Sequence, residues 1–361
     1  FGCTSQSLER RLQKSQLTSN QDCLELEEQA DWLQNRLQLD NDQMKQIVQT
    51  FPRIFTYKSK TSLEQKLTYY QERFGWNDSQ LGGVFSKQPT LLGLNIDDNI
   101  RPKLDYFQTR LGFNDAKLQT ILQQQPQLLG ISIESNLEPT LLHLQERLQI
   151  NETQIGKIIS KAPTILGLNM DKTVEKKLDW LEQRLDLTNT EVSKLVLELP
   201  SLLYYSISEK MEPNLDWLQE RLVLSNEEVT KLIKRFPHIL YYSIEDNMEP
   251  TLKWLQDSLV MEDTSDLATF VEKMPTLLGC SIETNLEPTL EFYIQAYGDN
   301  VIAITMLKKN PAFFGYSLEK RLKPRLEEAK EAGLIIDFPC VRRIALDTKE
   351  KWQLFISLNR Q

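Results

Sequence analysis

The sequence predicts an all-α fold, a superhelical solenoid of about eight to nine ~37-residue repeats, each built from two α-helices and a short 3-10 turn. Three observations predict it. Prolines fall at Pro52, Pro89, Pro126, Pro163, Pro200, Pro237, Pro275 and Pro311, in steps of 37, 37, 37, 37, 37, 38 and 36. A second proline follows 13 residues later in six of these eight repeats, at Pro102, Pro139, Pro213, Pro250, Pro288 and Pro324, with Gln65 and Lys176 in the other two. Glycine is scarce, 13 residues in 361, while Leu, Glu, Gln and Lys abound, which favours helix over sheet.

Positions are numbered here from the first proline of each repeat. That proline lacks an N–H and disfavours αR geometry in the residue before it, so it ends the helix that precedes it. A compact apolar segment follows, such as Pro126–Ser132 or Pro237–Ser243, too short for a normal helix and suited to a buried 3-10 turn. Ser or Asn at +6 is placed to cap the next helix. That helix tolerates the second proline because its first N–H groups have few partners. Its apolar stripe runs through +11, +15, +18 and +22, with leucine at +15 in every repeat. A second, shorter helix carries its stripe at −8, −5 and −4, as in Val229, Leu232 and Ile233. Neither stripe is buried by one hairpin alone. Stacking on neighbouring repeats buries both, and tryptophans at +17 (Trp180, Trp217, Trp254) are expected to bridge them.

Trp32 and Arg36 match the +17 and +21 columns, so a degenerate repeat precedes Pro52. The expected organisation is a polar, flexible lead-in over 1–21, a repeat array over 22–333 and a C-terminal capping segment over 334–361. The chain begins at Phe1, which points to a processed or cropped form in which any targeting peptide would not be visible. No apolar run reaches the roughly 18 residues of a membrane span, so no membrane partner is expected. Four cysteines without CxxC spacing and only two histidines, His143 and His238, give no metal site and suit a reducing compartment. GxSxG, P-loop and GxGxxG motifs are absent, so neither enzymatic activity nor a cofactor is expected.

The formal net charge is −9, yet residues 300–361 hold 12 Lys+Arg against 7 Asp+Glu, leaving +5 there and −14 over the rest. That asymmetry points to a localised anionic partner. Lysines recur at −6 (Lys157, Lys194, Lys231), with further cations at −3 and −2, spaced along the array as a phosphate backbone requires. The density is greatest from residue 231 onward. The candidate nucleic-acid-binding set is Lys231, Lys234, Arg235, Lys308, Lys309, Arg321, Lys323, Arg325, Arg342 and Arg343. The earlier lysines read as solvated helix ends favoured by the C-terminal dipole. Arginine at +21 (Arg36, Arg73, Arg110, Arg147, Arg184, Arg221) reads as a partner for a neighbouring carboxylate in preference to a phosphate ladder. The aromatic pairs Tyr204-Tyr205, Tyr241-Tyr242 and Phe313-Phe314 read as core packing, with base stacking as the alternative. Glycine at +4 gives way to Tyr204 and Tyr241, so that position does not demand a positive φ.

The recurring Pro-x-Leu-Leu-Gly-x-Ser-Ile-Glu-x-Asn-Leu-x-Pro pattern, seen over Leu128–Pro139 and again over Leu277–Pro288, resembles the mitochondrial transcription termination factor (mTERF) family. The closing Ser317–Arg325, Ala332–Leu334 and Asp337-Phe338 look like its plant and algal members, and the resemblance covers residues 22–361. It implies an organelle protein that binds double-stranded DNA or structured RNA in a superhelical groove. Transcription termination or initiation, RNA processing or ribosome assembly would be its field, without catalytic residues. A monomer is expected. The alternative is a helical scaffold for a protein partner with little nucleic-acid contact, favoured by the acidic balance of residues 1–299. A sequence pI near 5.1 suits plastid stroma better than mitochondrial matrix.

Overall fold

The structure is a computed structural model and describes residues 20–56 and 60–359; most of the predicted lead-in over 1–21 lies outside the described residues. It is an all-α solenoid of helical hairpins, with no strand among the described residues. The chain divides into two compact units after Lys176. The first holds α1 (Asn20–Arg36), α2 (Asn41–Thr50), α3 (Lys60–Phe74), α4 (Asp78–Lys87), α5 (Arg101–Leu111), α6 (Asp115–Gln124), α7 (Glu138–Leu148) and α8 (Glu152–Lys161). The second holds α9 (Lys176–Arg184), at whose first residue the units divide, then α10 (Asn189–Glu198), α11 (Glu212–Leu222), α12 (Asn226–Arg235) and α13 (Glu249–Ser258). It continues through α14 (Thr264–Lys273), α15 (Glu287–Tyr297), α16 (Asn300–Lys309), α17 (Lys323–Glu331), α18 (Phe338–Leu346) and α19 (Lys349–Asn359).

The first proline of each repeat opens a 3-10 turn, which at Pro126–Gly130 and Pro275–Gly279 buries the residues at +2 and +3. Ser or Asn at +6 then accepts a backbone N–H, Ser132 from Ser135 and Ser281 from Thr284. Between this cap and the first helix the structure adds a π turn, which helical periodicity alone does not reveal. Leu137 N–H reaches Ser132 O at 3.0 Å, five residues back, and Leu137 itself enters the core. The π turn over Met170–Glu175 forms although Lys176 replaces the second proline. The Asn169 cap and the buried Val174 therefore suffice to set it.

The two helices of a hairpin are joined at a left-handed residue, +23 in the regular repeats: Gly75, Gly112, Gln149, Asp186, Val223 and Val260 all have φ between 48 and 68. This conformation satisfies the last carbonyls of the first helix. A side-chain cap two residues later starts the second helix, as at Asn114, Asn151, Thr188 and Ser225. Each such cap contributes about 1 kcal/mol. The 38- and 36-residue steps are absorbed here, because the second-helix caps shift to Asp263 and Asp299 while both proline-marked elements keep their register. After α17 the chain closes with α18 and α19. Buried Trp352 donates its indole N–H to Glu328 at 2.6 Å and ties α19 to α17.

Candidate nucleic-acid interface

The arginine column at +21 is engaged in joining repeats. Arg110 Nε lies 3.1 Å from both carboxylate oxygens of Glu138, at +12 of the next repeat, while its Nη2 donates to Gln145 at 2.6 Å. Arg36 binds Glu64 and Gln71 at 2.9 Å, Arg184 binds Glu212 at 2.6 Å and Gln219 at 2.7 Å, and Arg221 repeats the pattern on Glu249 and Gln256. Arg147 takes Glu175 at 3.0 Å. The +17 side chain donates to the same carboxylate, Tyr106 to Glu138 and Trp180 to Glu212 at 2.7 Å. His143 meets Glu175 in the same way. Burial pushes the Glu138 carboxyl up, but the Tyr106 hydroxyl and Arg110 guanidinium outweigh it and hold it below the usual 4.5. The carboxylate reading of this column holds, and these arginines are not a phosphate ladder.

A second polar column was missed by sequence reasoning. At +14, Lys103 and Lys177 are only 9% and 7% exposed, and each ammonium donates to a carbonyl at +3 of the next repeat, Leu129 O and Leu203 O. Lys66 donates likewise to Leu92 O at 2.6 Å. Burial lowers the pKa of all three. Asn214 takes the same place and donates to Ile239 O and Tyr242 O. The available signal was positional: a polar side chain between the second proline and the leucine at +15 must point inward.

The ten predicted cations separate into engaged and uncommitted groups. Arg325 belongs to the buried +14 column, 9% exposed, donating to Ile344 O at 3.0 Å and Asp347 O at 2.8 Å beneath the Trp352 ring. This placement withdraws it from any surface site. Arg321 donates to the same Asp347 O and stacks on Tyr316 at 4.5 Å. Arg235 caps the end of α14 through Glu272 O and Lys273 O, and Lys308 donates to Val260 O at 2.6 Å. Lys231 pairs with Glu227, Lys234 with Glu191, Lys323 with Glu319 and Arg343 with Asp347. Lys309 and Arg342 are exposed and enter no ion pair among the described residues. The same holds for Lys273 and Lys320, outside the predicted set.

The aromatic pairs also divide. Phe313 and Phe314 are fully buried, as expected of core residues. The tyrosine pairs are not core. Tyr204 is 42% exposed, and Tyr205, Tyr241 and Tyr242 are half-buried. Tyr205 and Tyr241 stack with centroids 5.0 Å apart and planes 8° off parallel. No glycine at +4 has positive φ, in keeping with the sequence reading.

No group of three or more His, Cys, Asp or Glu side chains among the described residues is arranged to hold a metal ion. No described helix is long and apolar enough to cross a membrane. Residues 17–264 and 263–351 match the family model of mTERF. No curated protein gives a significant match to the chain.

Proposed function

This chain belongs to the mTERF family, and on that premise we propose that it binds nucleic acid through its helical repeats and regulates gene expression in an organelle. The observation that carries the reading is the set of exposed cations in the last repeats, Lys273, Lys309, Lys320 and Arg342, without carboxylate partners among the described residues. On a chain of net charge −9, such a group offers a local anion-binding surface. Contacts of this kind give affinity without sequence choice. Double-stranded DNA and structured RNA are both accommodated, and plastid stroma is the favoured compartment. The reading supplies no catalytic role to any residue.

A titration of the purified protein against duplex DNA and against structured RNA over a salt series tests it. Each neutralised duplex phosphate contributes a slope of about −0.9 in log K against log salt. K309E/R342E should reduce that slope and leave the thermal midpoint unchanged. Absence of binding at low salt sinks the reading. A second reading, a scaffold for a protein partner, is favoured by the half-exposed tyrosines and by Leu354 and Leu358, 60% and 74% exposed on α19.

A further inference from the structure

The first unit holds an open groove of about 810 Å³ between α6 and α8. Its walls carry Lys117 and Thr120 on one side and Thr153, Lys157 and Ser160 on the other, with Gly156 between them. Gly156 packs so closely on the end of α5 that a Cβ there would lie 2.8 Å from Leu111 O, so its missing side chain serves the packing of α8 on α5.

The corresponding pair of helices in the second unit, α10 and α12, serves as an internal control. There Lys234 of α12 reaches Glu191 of α10 at 2.7 Å and bridges the two helices. The same two repeat positions in the first unit are Ser160 and Lys117. In α12, Lys231 is paired with Glu227 one turn earlier at 2.9 Å. In α8 the same positions are Lys157 and Thr153. Thr230 of α12 fills the space above Leu185 and donates its hydroxyl to that carbonyl at 3.0 Å, where α8 has Gly156. The hairpins have the same backbone plan, so folding does not require these exchanges. Each exchange removes a carboxylate, a bridge or bulk, and leaves both ammonium groups of the first-unit groove outside any ion pair among the described residues. Glu152 also lines the groove, but its carboxylate is held by Arg110.

We infer that this groove is a phosphate-binding subsite for the sugar–phosphate backbone of a nucleic acid, resting on the reading that the chain binds nucleic acid. Two ammonium groups with the neighbouring Thr153 and Ser160 hydroxyls offer charge and neutral donors to non-bridging oxygens, while Thr120 already donates its hydroxyl to Ala116 O at 3.0 Å. The groove recognises phosphate chemistry without reading bases.

The test compares wild type with K117E/K157E and with K117E/S160K, which transplants the bridge that α10 and α12 already use. The probes are a 30-base-pair duplex over a salt series and inorganic tripolyphosphate by calorimetry; unchanged thermal midpoints check the fold. The expected result is a duplex salt slope shallower by about 2 in K117E/K157E, from two lost phosphate contacts. K117E/S160K should lose a similar part. If wild type binds duplex and both variants keep its slope, this groove is overturned and the proposed function stands. If wild type binds no nucleic acid, both fall. Tight tripolyphosphate binding, lost in the variants while duplex binding persists, assigns the groove to free polyphosphate and overturns the backbone reading.

Discussion

Val223 holds a conformation that costs a β-branched residue more than any other kind. Its φ of 55 and ψ of 48 lie in the left-handed region, and its side chain is 81% exposed, so no packing offsets the strain. The equivalent residue is Gly75 or Gly112 in other repeats. Val223→Gly should therefore raise unfolding free energy by about 1 kcal/mol, the relief of strain outweighing the extra entropy of the unfolded glycine. The same change at Val301, exposed within α16, should instead lower it by about 0.2–0.5 kcal/mol. Denaturant unfolding of both variants checks the pair of signs. The titration of single carboxyls gives a second prediction at this scale. Glu138, Glu175 and Glu191 are all held below the usual 4.5, Glu191 at about 2 through Lys234 and Thr188. A carboxyl with a depressed folded pKa binds fewer protons when folded than when unfolded. Its contribution is complete above about pH 4.5 and is lost as the pH falls through its folded value. Glu138→Gln should flatten this acid limb in melts between about pH 5 and pH 2, with the whole loss already present at pH 7.

Among elements, the column at +14 shows where a sequence stops being legible. Both helices, the 3-10 turn and the +6 cap follow from periodicity and proline chemistry, since each is written many times over in apolar spacing. Lys103 and Lys177 look like solvated lysines because a side chain's direction depends on which turn, α or π, precedes its helix. The π turn leaves no composition of its own. For the same reason Arg325 resembled a surface cation when it is buried under Trp352. The +21 arginines were read correctly on general grounds, since an arginine in the last turn of a helix commonly pairs with a neighbouring carboxylate. Glu at +12 takes that place in most repeats, and where +12 is Arg101, Arg73 binds Asp115 instead. Lys177→Met removes the donor to Leu203 O but keeps the aliphatic packing, leaving a buried carbonyl unsatisfied. It should lower stability by about 1–3 kcal/mol. Arg325→Met should do the same through Ile344 O, Asp347 O keeping its bond from Arg321, while leaving the nucleic-acid salt slope unchanged. A reduced slope in a folded Arg325→Met protein would return that residue to the binding surface.

At the scale of the whole molecule, stability in such an array is close to a sum of repeat terms and nearest-neighbour junction terms. The junctions are not equal. The arginine–carboxylate clamp stops after Arg221, because Ser258 and Ala296 hold the next two +21 places. Glu287, the carboxylate that Ser258 would face, is still present at +12 of its repeat, whereas the following repeat has Lys323 there. Ser258 is the last residue of α13, and the extra residue of the 38-residue step lies beyond it, so the helix register that positions Arg221 is preserved. Ser258→Arg should thus restore a clamp that the fold already frames. The expected gain is about 0.5–1 kcal/mol, the range of a partly exposed pair with good geometry. Ala296→Arg would meet Lys323 and should give no gain or a small loss. Hydrogen exchange should slow in α13 and α15 of the Ser258→Arg protein, and the gain should vanish in Ser258→Arg with Glu287→Gln. Equal gains from both arginines, or a gain that survives Glu287→Gln, would show that helix propensity and not the repeat-to-repeat clamp is the cause.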